Sequence, residues 1–308
     1  MRCTVWATTP GPSTTVSDHD LPQLFLANDR WALARQGESF RATRTQLILL
    51  LLATAFAVLA ERLDHRVPAV LAAVLYASTI LMGAHTARRR ARAHWQAHRD
   101  VAETVKSLAW QFMVHGGPFH SRVPDPEALF AERLEQRLRE LRKVGWQDTR
   151  GGPYVVGAGQ VSEVMRATRA KPFEARRDIY LRDRVTEQHT WYRNKALQER
   201  RASVGWSTLT AALTLMALLA AVFRALGTGT AWDLTGLLAT AAAAGVAWQE
   251  VRRYRPLAYA HALVEQDLET LRVALGTTVG EEGWASAVAE TERLMSPQHT
   301  DWLARFGK

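Results

Sequence analysis

Residues 208–223 read TLTAALTLMALLAAVF and residues 234–248 read LTGLLATAAAAGVAW, and neither run contains a charged side chain. The charged residues between them are Arg224 and Asp233. Tryptophans stand at the ends of the runs, namely Trp206, Trp232 and Trp248. Indole rings favour the headgroup level of a bilayer, so the stretch predicts two transmembrane helices joined by a turn. Because each run is shorter than the roughly 20 residues that cross a bilayer, two buried helices of a soluble core are the alternative.

An earlier part of the chain repeats this pattern and favours the membrane interpretation. Residues 47–60 and 67–87 are also apolar, and a short polar turn joins them. Fifteen basic residues lie within fifteen residues outside the two hairpins, whereas the connecting turns hold three. The positive-inside rule then places both turns outside the cell and both termini in the cytoplasm. The sequence therefore predicts an all-α membrane protein with four transmembrane helices in two hairpins, at about residues 45–62, 67–87, 204–226 and 230–250.

The charge of the chain is strongly basic. The net charge is +9 and the isoelectric point is about 10.2, which is also typical of nucleic-acid-binding proteins. Here the arginines flank the apolar runs, where each contributes about 1 kcal/mol of attraction to an anionic inner leaflet. We therefore expect a lipid bilayer as partner and no nucleic acid. The predicted membrane-surface residues are Arg88, Arg89, Arg90, Arg92, Arg252, Arg253 and Arg255.

The segments between the apolar runs predict long amphipathic helices that pack as a cytoplasmic bundle. From Ala91 to Phe112 the apolar side chains recur every three or four residues, which is a heptad seam, and residues 257–275 repeat it. Gly116 and Gly117, followed by proline, end the first of these helices. Four parts are predicted: a disordered tail at 1–20, a first unit at 21–118, an amphipathic helix with a Gly-rich linker at 119–171, and a second unit at 172–308.

Residues 180–196 read YLRDRVTEQHTWYRNKA and lead into the second hairpin. This string and the tail pattern of Trp284, Glu292 and Trp302 resemble the SLATT superfamily, over about residues 21–305 as two tandem units. The family-motif residues are Tyr180, Arg184, Gln188, Trp191 and Tyr192. The resemblance implies a multi-pass protein of the bacterial inner membrane that acts as a pore-forming, oligomeric effector in defence or conflict. It also implies a partner protein from a nucleotide-signalling system.

Catalytic motifs are missing from the sequence. There is no Gly-x-Ser-x-Gly elbow and no His-Glu-x-x-His, and Cys3 has no partner at a zinc spacing, so we expect no enzyme, cofactor or metal. Two classes of function remain: an oligomeric pore, and a membrane-anchored scaffold whose cytoplasmic helices recruit partners. Hydroxyl side chains in the apolar runs are predicted either to line a water path or to let helices pack closely. These residues are Ser78, Thr79, Thr210, Thr214, Thr235 and Thr240.

Overall fold

The computed structural model describes residues 15–63, 65–89, 91–143, 160–227, 234–277 and 280–306, and within these ranges the chain is helical without any strand. The predicted Gly-rich linker at 151–159 and the turn residue Trp232 lie outside the described residues. The all-α prediction is confirmed for the part that is described.

The first unit consists of three long helices: α1 (Gln23–Leu63), α2 (Arg66–Arg89) and α3 (Ala91–Met113). At 1.5 Å per residue, α1 is about 60 Å long and holds the first apolar run in its C-terminal part. That part pairs with α2, and the polar N-terminal part pairs with α3. A buried contact joins the polar parts, because His98 Nδ1 lies 2.8 Å from Asn28 Oδ1.

Two shorter helices follow: α4 (Pro126–Lys143) and α5 (Glu163–Arg169). α3 ends just before the predicted glycine pair, Gly116 and Gly117. Gly117 adopts a backbone φ of +51°, which residues other than glycine rarely adopt. Asp125 then accepts a hydrogen bond from the backbone N–H of Ala128 at 2.9 Å, which caps α4.

The second unit repeats the order of the first, with a long helix, a second apolar helix that packs against it and a returning helix. A continuous helical stretch is formed by α6 (Phe173–Tyr180), a π-helical segment (Leu181–Thr186) and α7 (Glu187–Ala225). The hairpin partner is α8 (Thr235–Arg252), and a left-handed Arg253 separates it from the returning helix α9. The last helices are α9 (Tyr254–Gly276), α10 (Trp284–Leu294) and α11 (Pro297–Phe306).

The polar ends of both units share one hydrophobic core. We call this part, built from the N-terminal part of α1 and from α3–α6, α9, α10 and α11, the base. Its centre is the predicted seam of α3, where Ala102, Val105 and Ala109 are fully buried. The apolar stripe of α4 packs there, and so do Val288 of α10 and Leu275 of α9 from the second unit. The tandem units are therefore joined through a common core.

The last residues of the predicted disordered tail contact the base. Residues 1–14 lie outside the described residues, whereas residues 15–20 are described and include a short 3-10 helix at Asp18–Asp20. Val16 is buried in the base, and the carboxylate of Asp18 lies 2.6 Å from Nζ of Lys106. An apolar side chain and a carboxylate that find partners on α3 hold the end of the predicted tail in place.

Candidate functional site

The apolar helices expose their surface to an unusual degree. Among the described residues, three helical stretches are long and apolar enough to cross a membrane: Gln23–Leu63, Arg66–Thr86 and Phe173–Ala225. The buried share of the most apolar window is 6% in the first and 11% in each of the others. A soluble monomer does not leave contiguous apolar surface of this size in water. The exposed residues thus need lipid or other protein around them.

The fourth predicted span, at 230–250, falls only partly on described residues, since description resumes at residue 234. Its helix, α8, pairs with α7 and also contacts α1, so it stands among the three spanning stretches. Its last turn carries Gln249, Glu250 and Arg252, and the described 18-residue helix is not among the three stretches that are long and apolar enough to cross a membrane.

An aromatic cluster joins the two hairpins where their apolar runs begin. The ring centroids of Phe40 on α1 and Trp248 on α8 lie 6.4 Å apart, and Trp206 lies 6.4 Å from Trp248 on the other side. The Arg252 guanidinium lies 4.4 Å from the centroid of the Phe40 ring. Trp248 therefore contacts both Trp206 on α7 and Phe40 on α1, and thereby joins the two units.

The predicted hydroxyl residues form hydrogen bonds within their own helices. Five of the six hydroxyls donate to the carbonyl four residues earlier, at 2.8 to 2.9 Å: Ser78, Thr79, Thr210, Thr214 and Thr240. Such bonds satisfy a hydroxyl without water. They fit helix packing and a lipid environment as well as a pore, so the predicted role of these residues stays a prediction.

Thr210 marks the closest approach within the second hairpin. A Cβ placed on Gly245 of α8 would lie 2.5 Å from Cγ2 of Thr210, so only glycine fits there without movement of α7. Nearby, Ser207 donates to Gln249 Oε1 at 3.1 Å. A small residue and a polar bridge thus lock α7 to α8, as expected for helices that pack in a bilayer.

The predicted basic residues divide into different environments. Arg252 stacks on aromatic rings, whereas Arg253 donates to the backbone carbonyl of Ala304 at 3.2 Å. Arg255 is exposed. The side chains of the remaining four predicted residues lie outside the described ones: Arg88, Arg89, Arg90 and Arg92.

The motif string runs through the π-helical segment into α7. Tyr180, Arg184 and Tyr192 are buried, whereas Gln188 is half-buried and Trp191 is partly exposed against His261. The Tyr192 hydroxyl donates to the Met295 carbonyl at 3.1 Å. This bond holds α7 against the short connection between α10 and α11.

Tyr180 and Arg184 meet at one carboxylate. Arg184 donates from Nε to Glu292 Oε1 at 3.1 Å and from Nη2 to Oε2 at 2.8 Å, and the Tyr180 hydroxyl donates to Oε1 at 3.1 Å. Arg184 and Glu292 are almost fully buried. A bidentate pair in a buried site is both strong and specific in geometry. It fastens α10 to the helical stretch Phe173–Ala225, which is long and apolar enough to cross a membrane.

The π-helical segment gives this stretch a wide buried face. Three consecutive residues, Asp183, Arg184 and Val185, are all buried, and Thr186 donates to the carbonyl of Leu181, five residues earlier, at 2.7 Å. Asp183 also accepts from the backbone N–H of Val16 at 3.0 Å. The segment thus contacts the chain before α1 and α10 together. Short π-helical insertions occur frequently at functional sites.

Comparison with protein families matches residues 22–177 to the SMODS and SLOG-associating 2TM effector domain 3, or SLATT_3. Residues 180–302 match the SMODS and SLOG-associating 2TM effector domain 1, or SLATT_1. The chain belongs to the SLATT family. The predicted resemblance, including its two tandem units, is therefore confirmed. No curated protein and no solved structure matches the SLATT chain.

The SLATT domains and the exposed apolar helices together indicate a membrane-associated effector. The first domain ends inside α6, and the second begins at Tyr180, immediately before the π-helical segment. The buried network that Tyr180 opens therefore belongs to the second SLATT domain, and its carboxylate comes from the same domain.

Sequence reasoning did not find that Glu292 pairs with Arg184, nor that Arg169 supplies hydrogen bonds at the C-terminal end of α3. Glu292 follows Trp284 and Val288 at intervals of four, so its place on the buried face of α10 was readable from the spacing. Arg169 gave no such signal. It donates to the carbonyls of Phe112 and Phe119, at 2.6 and 3.1 Å, and thereby supplies partners for the C-terminal end of α3.

Two titratable residues of the base have shifted pKa values of opposite sense. Burial and the nearby Asp301 carboxylate raise the pKa of Asp100 to about 6. Burial and the guanidinium groups of Arg169 and Arg176 lower the pKa of His115 to about 4. The shifts thus disfavour the charged form of each group, and their effects on stability oppose each other.

We expect Asp100→Asn to stabilise the SLATT base at about pH 7.5 by about 1 kcal/mol, because the half-buried charge is removed. A raised pKa means that the folded protein binds the extra proton between pH 3.8 and about 6, so the contribution of Asp100 to stability declines as pH rises through that window. His115 acts in the opposite direction, because its contribution is present above pH 6.5 and is lost as pH falls towards 4.

Thermal unfolding of wild type and variant between about pH 4 and pH 7.5 measures this effect. The wild-type profile is expected to be nearly flat where the two groups oppose each other, and the variant to lose stability on acidification because the opposing contribution of Asp100 is removed. Equal profiles for both proteins would show that Asp100 does not carry the charge penalty.

Proposed function

We propose that this SLATT protein is an integral effector of the bacterial inner membrane that crosses the bilayer four times, with the base and both termini in the cytoplasm. The exposure of the apolar helices carries this proposal. The basic residues that flank the hairpins support the orientation, because connecting turns poor in arginine fit the outer side. The pairing of α8 with α7 supports the fourth span at 230–250.

We further propose that several copies assemble and permeabilise the membrane without catalysing a reaction. Four helices leave little room for a water path in one copy, but the exposed faces offer surface for neighbours. Thr214 is exposed on α7, whereas Thr210 is buried beside Gly245. In an assembly, exposed hydroxyls of this kind are the ones able to line water.

A vesicle leakage assay tests the pore. The full chain is reconstituted at increasing density into dye-loaded vesicles, and insertion is checked by resistance to alkaline extraction. Leakage is expected to rise steeply with density, because it requires assembly. Thr214→Val is expected to lower the leakage rate by at least about twofold, whereas Thr210→Val, the matched control, leaves it nearly unchanged. Full insertion without leakage at any density would contradict the pore.

A membrane-anchored scaffold is the second candidate function. The hydrogen bonds of the hydroxyl residues within their own helices favour it, because those groups need no water path. The extensive base then recruits partner proteins. The family description, SMODS and SLOG-associating, supports a partner from a nucleotide-signalling system. Silence in single-channel recording together with partner capture by the base would favour this function over the pore.

A further inference from the structure

A groove runs between α7 and α9 on the side that faces away from the shared core. It encloses about 620 Å³, and α7 contributes Arg193, Leu197 and Arg200 to its walls. Arg255 and Tyr259 of α9 form the opposite side. Neither the pore proposal nor the scaffold proposal uses this groove.

The three arginines of the groove are unpaired. Within the described part of the chain, Arg193, Arg200 and Arg255 form no hydrogen bond or ion pair. The carboxylate that lines the groove belongs to Glu265, and its Oε1 lies 3.3 Å from Nε2 of His189. By contrast, other arginines of the base, such as Arg184, are bound to carboxylates. The groove therefore carries an excess of positive charge that the protein itself does not neutralise.

The walls between these arginines are apolar and open. Leu197 is 44% exposed, Val204 is 61% exposed and Tyr259 is 45% exposed, although all three lie in the groove. Apolar side chains in this combination with unpaired arginines match a ligand that has an anionic group and a hydrocarbon part. Soluble anions such as phosphate would leave these apolar walls in water.

The position of the groove in the long helix identifies the source of such a ligand. Val204 lies four residues before the charge-free run at 208–223, which corresponds to about 6 Å along the helix, and Arg200 lies about 6 Å further. Arg255 is the second residue of α9 and lies three residues after the end of α8, whose Trp248 stands at the end of its own apolar run. The headgroup layer outside the hydrocarbon core is about 5 to 8 Å thick on each side. With the predicted spans at 204–226 and 230–250, Arg200 lies four residues and Arg255 five residues outside the hydrocarbon core, or about 6 and 8 Å, which is near phosphate level.

We propose that this groove binds an anionic phospholipid of the leaflet that faces the base. Arg200 and Arg255 bind the headgroup phosphate, Arg193 binds any further anionic group, and an acyl chain runs along Val204 into the hydrocarbon core, while Leu197 and Tyr259 contact the carbon atoms of the headgroup. A guanidinium matches the geometry of a phosphate group with two parallel hydrogen bonds. This inference rests on the proposed membrane location. A second copy of the basic chain fits the site less well, because it would have to bring several carboxylates.

Native mass spectrometry of the full chain in detergent tests the proposal. Phosphatidylglycerol is the anionic probe and phosphatidylcholine the zwitterionic comparison. Wild type is expected to retain phosphatidylglycerol selectively, and the triple variant Arg193→Gln, Arg200→Gln, Arg255→Gln to bind it about tenfold more weakly. The matched control removes the same charge at exposed arginines elsewhere, Arg30→Gln, Arg44→Gln and Arg201→Gln, and is expected to change binding less than twofold.

Three outcomes of the lipid-binding measurement would overturn the site. These are unchanged lipid retention in the triple variant, equal loss in both variants, and equally tight binding of glycerol 3-phosphate, which has the anionic group without the acyl chain. Loss of self-association in the triple variant, with lipid binding intact, would assign the groove to a second copy and also overturn it. Because the protein is taken from the extracted membrane fraction, a failure to insert appears before any lipid is added. That failure refutes the membrane proposal, whereas loss of lipid selectivity in an inserted protein refutes only the groove.

Discussion

Replacing Glu292 with glutamine is expected to lower the free energy of unfolding of the base by about 3–5 kcal/mol. The change leaves the Arg184 guanidinium buried without its counter-charge, and the Tyr180 hydroxyl loses a charged acceptor. One nitrogen of Arg184, Nη1, already has no hydrogen-bond partner among the described residues, so no further hydrogen bond compensates for the lost carboxylate. Chemical unfolding in detergent, followed by tryptophan fluorescence, measures the loss.

The same helix provides the matched control. Glu290 also holds an arginine, Arg293, through both carboxylate oxygens, but this pair is exposed. Glu290→Gln is expected to cost less than about 1 kcal/mol, since exposed ion pairs contribute little. A cost for Glu292→Gln no larger than this would contradict the role of the buried pair. The double variant Arg184→Met, Glu292→Leu is expected to recover much of the loss, because no buried charge remains.

Replacing Trp284 with alanine is expected to destabilise the base by about 3–5 kcal/mol. The indole is fully buried, and its Nε1 donates to the carbonyl of Val114 at 2.6 Å. Its ring centroid lies 5.4 Å from that of Phe173 and 5.9 Å from that of Tyr180, both in edge-to-face geometry. Truncation would open a cavity where α3, α6 and α10 meet and would leave the Val114 carbonyl without its partner.

Trp302 is the control for this change, because it lies on α11 and is 55% exposed. Trp302→Ala is expected to cost about 1 kcal/mol or less. Trp284→Phe separates the two contributions at the buried site: it keeps most of the ring contacts and loses the hydrogen bond, which is worth about 1 kcal/mol. Similar unfolding midpoints for Trp284→Ala and Trp302→Ala would show that the joint between the two SLATT domains does not depend on Trp284.

The two replacements with the largest expected effects lie at the same joint, where α10 contacts the helix that continues into the apolar run of α7. Glu292 and Trp284 both lie on α10, and both contact the helix that continues through the π-helical segment into α7. Loosening this joint is therefore expected to weaken the connection between the base and the second hairpin as well as the base itself. An insertion assay on the Glu292→Gln variant distinguishes this from a loss of membrane targeting, because the apolar runs are unchanged.

The amino-acid sequence by itself determined the helical class, the apolar runs and the seams that pack the base. These features follow from local spacing, since a helix of 3.6 residues per turn repeats its buried positions every three or four residues. The seam of α3 and the glycine stop after it were found in this way, whereas the family was found from the resemblance of the string at 180–196. The fourth span at 230–250 is the weakest of these predictions, because its described helix ends in polar residues and its start lies outside the described residues.

The tertiary structure alone decided which distant residues meet. Arg184 and Glu292 are 108 residues apart, and no spacing rule pairs them. The π-helical segment turns three consecutive side chains inward, which a regular helical pattern does not predict. The shared core and the groove between α7 and α9 likewise depend on how separate helices lie against each other. Helical periodicity fixes the face that each helix buries, whereas the choice of its neighbour depends on side-chain shape and charge across the whole fold.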